Sequence, residues 1–262
     1  MTTLSQATIL ITGANGGFGQ QMIRQFLAAN GRLILTDVDG EALEKTAVSI
    51  QQATPSGEIL GYFPVDLTSR AGCEKLFHQV ESLDAPIDML VNNAGIAHSG
   101  PFHEVPPEAW DKLLQLNLHA PMHLTRLFLP GLLARQRGHI VNIASIAGWT
   151  GPASLAAYSA SKFGLRGFSE SLMEETRGTG VEITAVYPFF SRTPILDSPT
   201  YGNDRDRDLP DNLVTDPADI VRAILNAVEN NQQHLFPDKM AKRIQFFKRF
   251  APKLLNRLNR LL

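Results

Sequence analysis

The stretch "ATILITGANGGFGQQMIRQFLA", residues 7–28, decides the fold. A short run of Ile, Leu and Thr reads as a strand. A glycine-rich turn follows, with Gly13, Gly17 and Gly19, and then an amphipathic stretch of helical length. Glycines let backbone come close to a pyrophosphate, and a helix N-terminus offers amide donors and the positive end of a dipole. The next apolar run, "RLILTD", ends in Asp37, 18 residues beyond Gly19. An acid there is placed to accept a hydrogen bond from the 2′-hydroxyl of an adenosine ribose, and it would repel a 2′-phosphate. Val38 and Asp39 come next, and no Lys or Arg lies among the glycines, so the reading favours NAD over NADP.

Outward from this unit the same alternation repeats. "EILGYFPV", "IDMLVNN", "GHIVNIAS", "VEITAVYP" and "QHLFP" are short β-rich runs. Helical patterns occupy about 40–53, 69–83, 106–135, 157–178 and 217–230 between them. The alternation predicts α/β architecture, a doubly wound parallel sheet of the Rossmann type, in one domain over residues 1–237. Ligands of such sheets bind at the carboxyl ends of the strands. Residues 188–214, rich in Pro, Asp and Arg, break the rhythm and read as a lid loop.

The totals agree with one soluble domain: 262 residues, 44% apolar and 19% charged. A lone Cys73 allows no intrachain disulfide and no zinc cluster, which suggests a reducing compartment. No basic segment followed by a long apolar run opens the chain, so no signal peptide is expected, and the expected location is cytoplasmic. The net charge of −2 conceals an asymmetry. Residues 238–262 hold eight Lys/Arg and one acid, leaving 16 basic and 25 acidic residues, a net of −9, for the remainder.

"LAAYSASKFGLRGFSE", residues 155–170, places Tyr158 four residues before Lys162. On a helix the two share a face, and a nearby ammonium favours phenolate over phenol. This is the pattern of a general acid/base. By chance about one chain in eight of this composition would contain it, so the spacing alone is weak.

With these residues the chain resembles the short-chain dehydrogenase/reductase family over about residues 6–237. "TGANGGFG" matches the family's TGxxxGxG turn, "NNAG" (92–95) its motif after the fourth strand, and "YSASK" its YxxxK. Gly13, Gly16 and Gly19 also fit GxxGxxG of longer relatives, but chain length and "NNAG" favour the shorter type. The resemblance implies a cofactor surface of Gly13, Asn15, Gly17, Phe18, Gly19, Asp37, Asp66, Leu67, Asn93, Ala94, Gly95, Tyr158, Lys162, Pro188 and Thr193. It implies Ser145, Tyr158, Lys162 and Asn117 as the catalytic set, with Ser145 and Tyr158 touching substrate. In that scheme Tyr158 exchanges the proton, Ser145 holds the reacting oxygen, Lys162 lowers the phenol's proton affinity and grips the nicotinamide ribose, and Asn117 holds a relay water. No metal is needed. His98, His103, His119 and His123 lack acids or Cys at ligand spacing.

One position departs from the family. Phe189 in "YPFFSRT" replaces the usual glycine after Pro188, which puts the loop path and Thr193 in question. Phe189, Phe190, Trp149 and Leu155 suggest a hydrophobic secondary alcohol or ketone of steroid, retinoid or fatty-chain type, or else they are core. The alternatives are an NADP-dependent 3-oxoacyl-carrier reductase and a non-catalytic dinucleotide-binding sensor or scaffold. The resemblance implies a homodimer or homotetramer through the helices around 106–135 and 157–178. In the tail, Ile244, Phe247, Phe250, Leu254, Leu258 and Leu261 step along one helical face opposite a basic one, with Pro252 as a break. A peripheral membrane contact through residues 239–262 and packing on the body or a second subunit stand as rival readings; nucleic acid is not expected.

Overall fold

The computed structural model describes residues 2–202 and 213–251. Seven strands form one parallel sheet: β1 (Thr8–Thr12), β2 (Arg32–Asp37), β3 (Glu58–Pro64), β4 (Met89–Asn92), β5 (Gly138–Ile143), β6 (Val181–Val186) and β7 (His234–Leu235). Their order is β3-β2-β1-β4-β5-β6-β7, with every neighbouring pair parallel. The chain winds outward from β1 in one direction and from β4 in the other. The crevice at this reversal lies between the ends of β1 and β4, where the glycine turn and "NNAG" emerge.

Helices cover both faces. Alternate residues of each inner strand face opposite sides, so the strands read as continuous apolar runs. Ile9, Ile11, Leu33 and Leu35 pack with Met22 and Phe26 of α1 (Gly17–Ala28), Leu43 of α2 (Gly40–Ala53) and Ile220 and Ile224 of α7 (Pro217–Glu229). Leu10, Ile34, Leu90 and Ile140 pack the other way. Their partners include Leu76 of α3 (Arg70–Glu81), Leu124 of α5 (Ala120–Ala134) and Leu165 of α6 (Ala156–Glu175).

The long helical pattern predicted over 106–135 is interrupted. α4 (Pro107–Leu114) passes through a π-helical turn, Gln115–His119, into α5. Pro121 explains it. In an α-helix its ring would press on the Asn117 carbonyl four residues back and offer it no N–H. The widened turn relieves this and leaves the Asn117 side chain buried.

Side-chain caps start four helices: Asp39 for α2, Ser69 for α3, Asp216 for α7 and Asp238 for α8 (Lys239–Phe250). α1 differs. Its N-cap is Gly16, with no side-chain cap and no acid in the first turn.

The loop after β6 is strapped at two points. Ser191 bridges Thr215, and Ser99 bridges Thr200. Of the expected lid over 188–214, residues 203–212 lie outside the described residues, as does the tail beyond Ala251. Within the described part of the tail, Ile244, Phe247 and Phe250 do not share one buried face. Ile244 packs inward while Phe250 is exposed, because the 3–4 spacing drifts around a helix over two turns.

Candidate active site

The glycine turn is held from three sides. Gly13 adopts φ +63°, a left-handed conformation that favours glycine. A Cβ on Gly19 would run into the Gly13 carbonyl oxygen, so α1 can start this close to β1 only with glycine there. Asn93 Nδ2 donates to the carbonyls of Thr12 and Gly13, both at 2.9 Å, and the N–H groups of Asn93 and Ala94 donate to Thr12 Oγ1. Asp37 accepts from the backbone N–H of Asn15 at 2.9 Å and of Val38 at 2.8 Å. The loop after β6 closes the third side: a Cβ on Gly17 would lie 2.5 Å from Thr193 Cγ2.

Asp66 lies beyond the end of β3. The Thr68 backbone N–H donates to its carboxylate and holds the carboxyl below its usual range. Phe18 and Leu67 turn their side chains into the cores, which leaves backbone groups as their means of touching a ligand.

The second cluster sits past β5 and along α6. Ser145 lies two residues past β5 and caps a short 3-10 turn, Ile146–Gly148, its Oγ accepting from Ala147 N–H. Its hydroxyl lies beside the Tyr158 phenol. Burial pushes that phenol up from its usual pKa, and the neighbouring Ser145 hydroxyl pulls it down. Lys162 is 4% exposed, and its Nζ donates to the Ile143 carbonyl at 2.8 Å. Burial pushes its pKa down to about 8. The ammonium lies 5.7 Å from the centre of the Tyr158 ring. The Tyr158–Lys162 spacing predicts an ammonium that lowers the phenol. In the structure burial dominates both groups, and it opposes charge on each.

Asn117 joins this cluster from the π turn. Its Oδ1 accepts from Ile96 N–H, and its Nδ2 donates to the Ile96 carbonyl and to Ser161 Oγ. Gly95 stands between helices α4–α5 and α6: a Cβ there would lie 3.2 Å from Asn117 Oδ1 and 3.6 Å from Lys162 Nζ. Pro188 joins through its carbonyl, which accepts from Ile146 N–H.

The sequence profile of the short chain dehydrogenase family matches residues 7–202. The chain is a short-chain dehydrogenase. "Epidermal retinol dehydrogenase 2" of Homo sapiens is 32% identical over 248 residues, spanning 93% of this chain and 78% of that protein. "D-beta-hydroxybutyrate dehydrogenase" of Cupriavidus necator is 37% identical over 193 residues, 74% of each chain. A short-chain dehydrogenase from Sphingobium yanoikuyae, solved in complex with NADPH, superposes with a TM-score of 0.80 at 27% identity over 95% of both chains. The protein is accordingly an NAD(P)-dependent oxidoreductase.

Two features of this dehydrogenase correct the sequence reading. Phe189 has no positive φ, so the family's glycine position requires none here. Its N–H donates to Asp238 Oδ2 at 2.8 Å. Trp149 is core. Its ring packs edge-on to Tyr187 and Phe236, and the Arg166 guanidinium lies 3.5 Å from its centre.

Three residues of the dehydrogenase escaped the sequence argument. Ser161 donates to the Tyr158 carbonyl at 2.7 Å and accepts from Asn117, tying the two together. Asn142 accepts from Asn92 and donates to Ser169, a buried chain across β4, β5 and α6. Asp238 both caps α8 and holds Phe189. Only Asp238 carried a signal, an acid directly before a helical pattern.

Proposed function

We propose that this dehydrogenase moves a hydride between NAD(H) and a hydrophobic secondary alcohol or ketone, with Tyr158 as general acid/base. The observation that carries the reading is the buried Lys162 ammonium, held by the Ile143 carbonyl 5.7 Å from the centre of the Tyr158 ring, with Ser145 beside the phenol. The chain's own residues suit a dinucleotide. The N–H groups of the first turn of α1 meet no capping side chain and no acid, as a pyrophosphate requires. When bound, the nicotinamide supplies or accepts the hydride.

Tyr158 delivers a proton to the substrate oxygen in reduction and removes it in oxidation. Ser145 donates to that oxygen and steadies the charge developing on it. Lys162 fixes a positive charge beneath the phenol, anchored through the Ile143 carbonyl. Asn117, held at both ends of its amide, positions Ser161 and through it the start of α6.

Asp37 is the reason for choosing NAD, since its carboxylate stands at the end of β2 with no compensating cation after it. The Sphingobium relative was solved with NADPH, which favours NADP as the second reading. Apolar substrates are suggested by Ile195 and Leu196, both partly exposed on the loop after β6, and by the names of relatives that include a retinol dehydrogenase and estradiol 17-beta-dehydrogenase 11. A homo-oligomer through α5 and α6 would cover Met122 and Phe163, each 41% exposed. Among the described residues no helix is long and apolar enough to cross a membrane.

The test is NAD and NADP reduction against retinols, steroids, short 3-hydroxy acids and long-chain alcohols, with Tyr158→Phe alongside. Turnover of the apolar alcohols with NAD, and none of the short 3-hydroxy acids, is expected. A Tyr158→Phe protein as fast as the parent would remove the proposed acid/base.

A further inference from the structure

α8 is fastened to the body along one side. Asp238 caps it, Ala241 is fully buried, and Ile244 packs against the cluster that contains Trp149 and Phe189. It lies against the Ile146–Gly148 turn that follows Ser145. The helix is therefore fixed on the carboxyl rim of the sheet, beside the loop that opens onto the site.

Its other side is unusual. At 3.6 residues per turn, Lys239, Lys242, Arg243, Phe246, Arg249 and Phe250 fall within an arc of about 120°. All six are exposed, Phe246 at 55% and Phe250 at 65%. The two rings are 5.0 Å apart, and the Arg249 guanidinium lies 5.4 Å from the centre of Phe250. Among the described residues none of these four cations is in an ion pair. Over the full sequence the acids of the body outnumber its bases by nine, yet among the described residues none of those acids pairs with these cations.

We propose that α8 docks on an anionic phospholipid surface, with Phe246 and Phe250 entering the headgroup region and Lys239, Lys242, Arg243 and Arg249 meeting the phosphates around them. Aromatic rings flanked by cations match an interface that is apolar below and negative above. A second copy of this chain fits less well, because two such faces would bring eight cations together without an acid. Docking would press the rim that carries Phe189 and the substrate loop against the bilayer. The proposal concerns the surface alone and holds whichever substrate and cofactor the enzyme uses.

Co-sedimentation of the full chain with phosphatidylcholine vesicles, with and without phosphatidylglycerol, tests it. Binding at least 10-fold stronger to the anionic vesicles is expected, weakening in high salt. The Phe246→Ser/Phe250→Ser double variant should lose it by about 10-fold with an unchanged melting temperature, and Lys242→Glu/Arg243→Glu should do likewise. Equal binding to both vesicle types, or a serine variant that binds like the parent, would overturn the proposal. So would a serine variant that changes only the oligomeric mass in light scattering, or binding by the parent to single-stranded oligonucleotide in preference to vesicles.

Discussion

The two ends of the sheet treat buried polar groups in opposite ways. At the amino end His139 and Asp88 are paired. His139 bonds through both ring nitrogens, to Thr2 Oγ1 and Thr184 Oγ1, and Asp88 accepts from Thr8 N–H and from Arg137. Burial drives His139 down to a pKa of about 3, so it is neutral near pH 7. At the carboxyl end Lys162 is 4% exposed, yet among the described residues its ammonium donates to a carbonyl rather than a carboxylate. One end pairs these groups, and the other buries a charge without a carboxylate partner, as the proposed acid/base chemistry would use.

Acid should break the amino end first. The unfolded chain protonates a histidine near pH ~6.5, the folded chain holds His139 unprotonated until about 3, and stability drains as pH falls between the two. A burial shift of that size is on the order of 5 kcal/mol. The His139→Gln variant should show a much flatter melting temperature between pH 6.5 and 4; an equally steep fall would place the acid sensitivity elsewhere.

At the carboxyl end, Tyr158→Phe should cost turnover ~1000-fold, about 4 kcal/mol of barrier, with a circular dichroism spectrum like the parent's. Lys162→Met separates function from stability. Wild-type Lys162 gives up its proton at about 8 while an unfolded lysine keeps it to ~10.4, so the parent gains stability as pH rises through that window. Below pH 8 the buried charge costs about 3 kcal/mol, of which the Ile143 bond returns about 1. The methionine variant should therefore be inactive yet melt higher at pH 7 and show no rise between pH 8 and 10. A lower melting temperature at pH 7 would mean the ammonium stabilises the fold. Asp37→Ala is the smallest step: NADH binding should weaken ~10-fold, about 1.4 kcal/mol, and NADPH binding should improve, both by fluorescence titration.

The strands and most helix boundaries were legible because sequence and packing agree locally. Apolar runs become strands covered on both faces, and Asp39 and Asp216 start α2 and α7 where capping chemistry predicts. That the candidates Ser145, Tyr158 and Lys162 come together was legible because motif spacing maps onto the end of a strand and one turn of helix. The rest depended on distance in space. Trp149 reads equally well as cleft or core until Tyr187, Phe236 and Arg166 surround it. Phe189 looks strained at a glycine position until Asp238, 49 residues away, is seen to take its N–H. The π turn could have been suspected from Pro121, but an α-helix with a kink would fit the same residues.

That turn insulates the site. A surplus residue in a helix offsets one end from the other by about 100°. α5 can thus keep Leu124, Phe128 and Leu132 in phase with the core while the carboxamide at position 117 obeys a separate phase toward the cleft. Repacking the core along α5 can proceed without swinging that carboxamide aside, which decouples the drift of the scaffold from the upkeep of its chemistry.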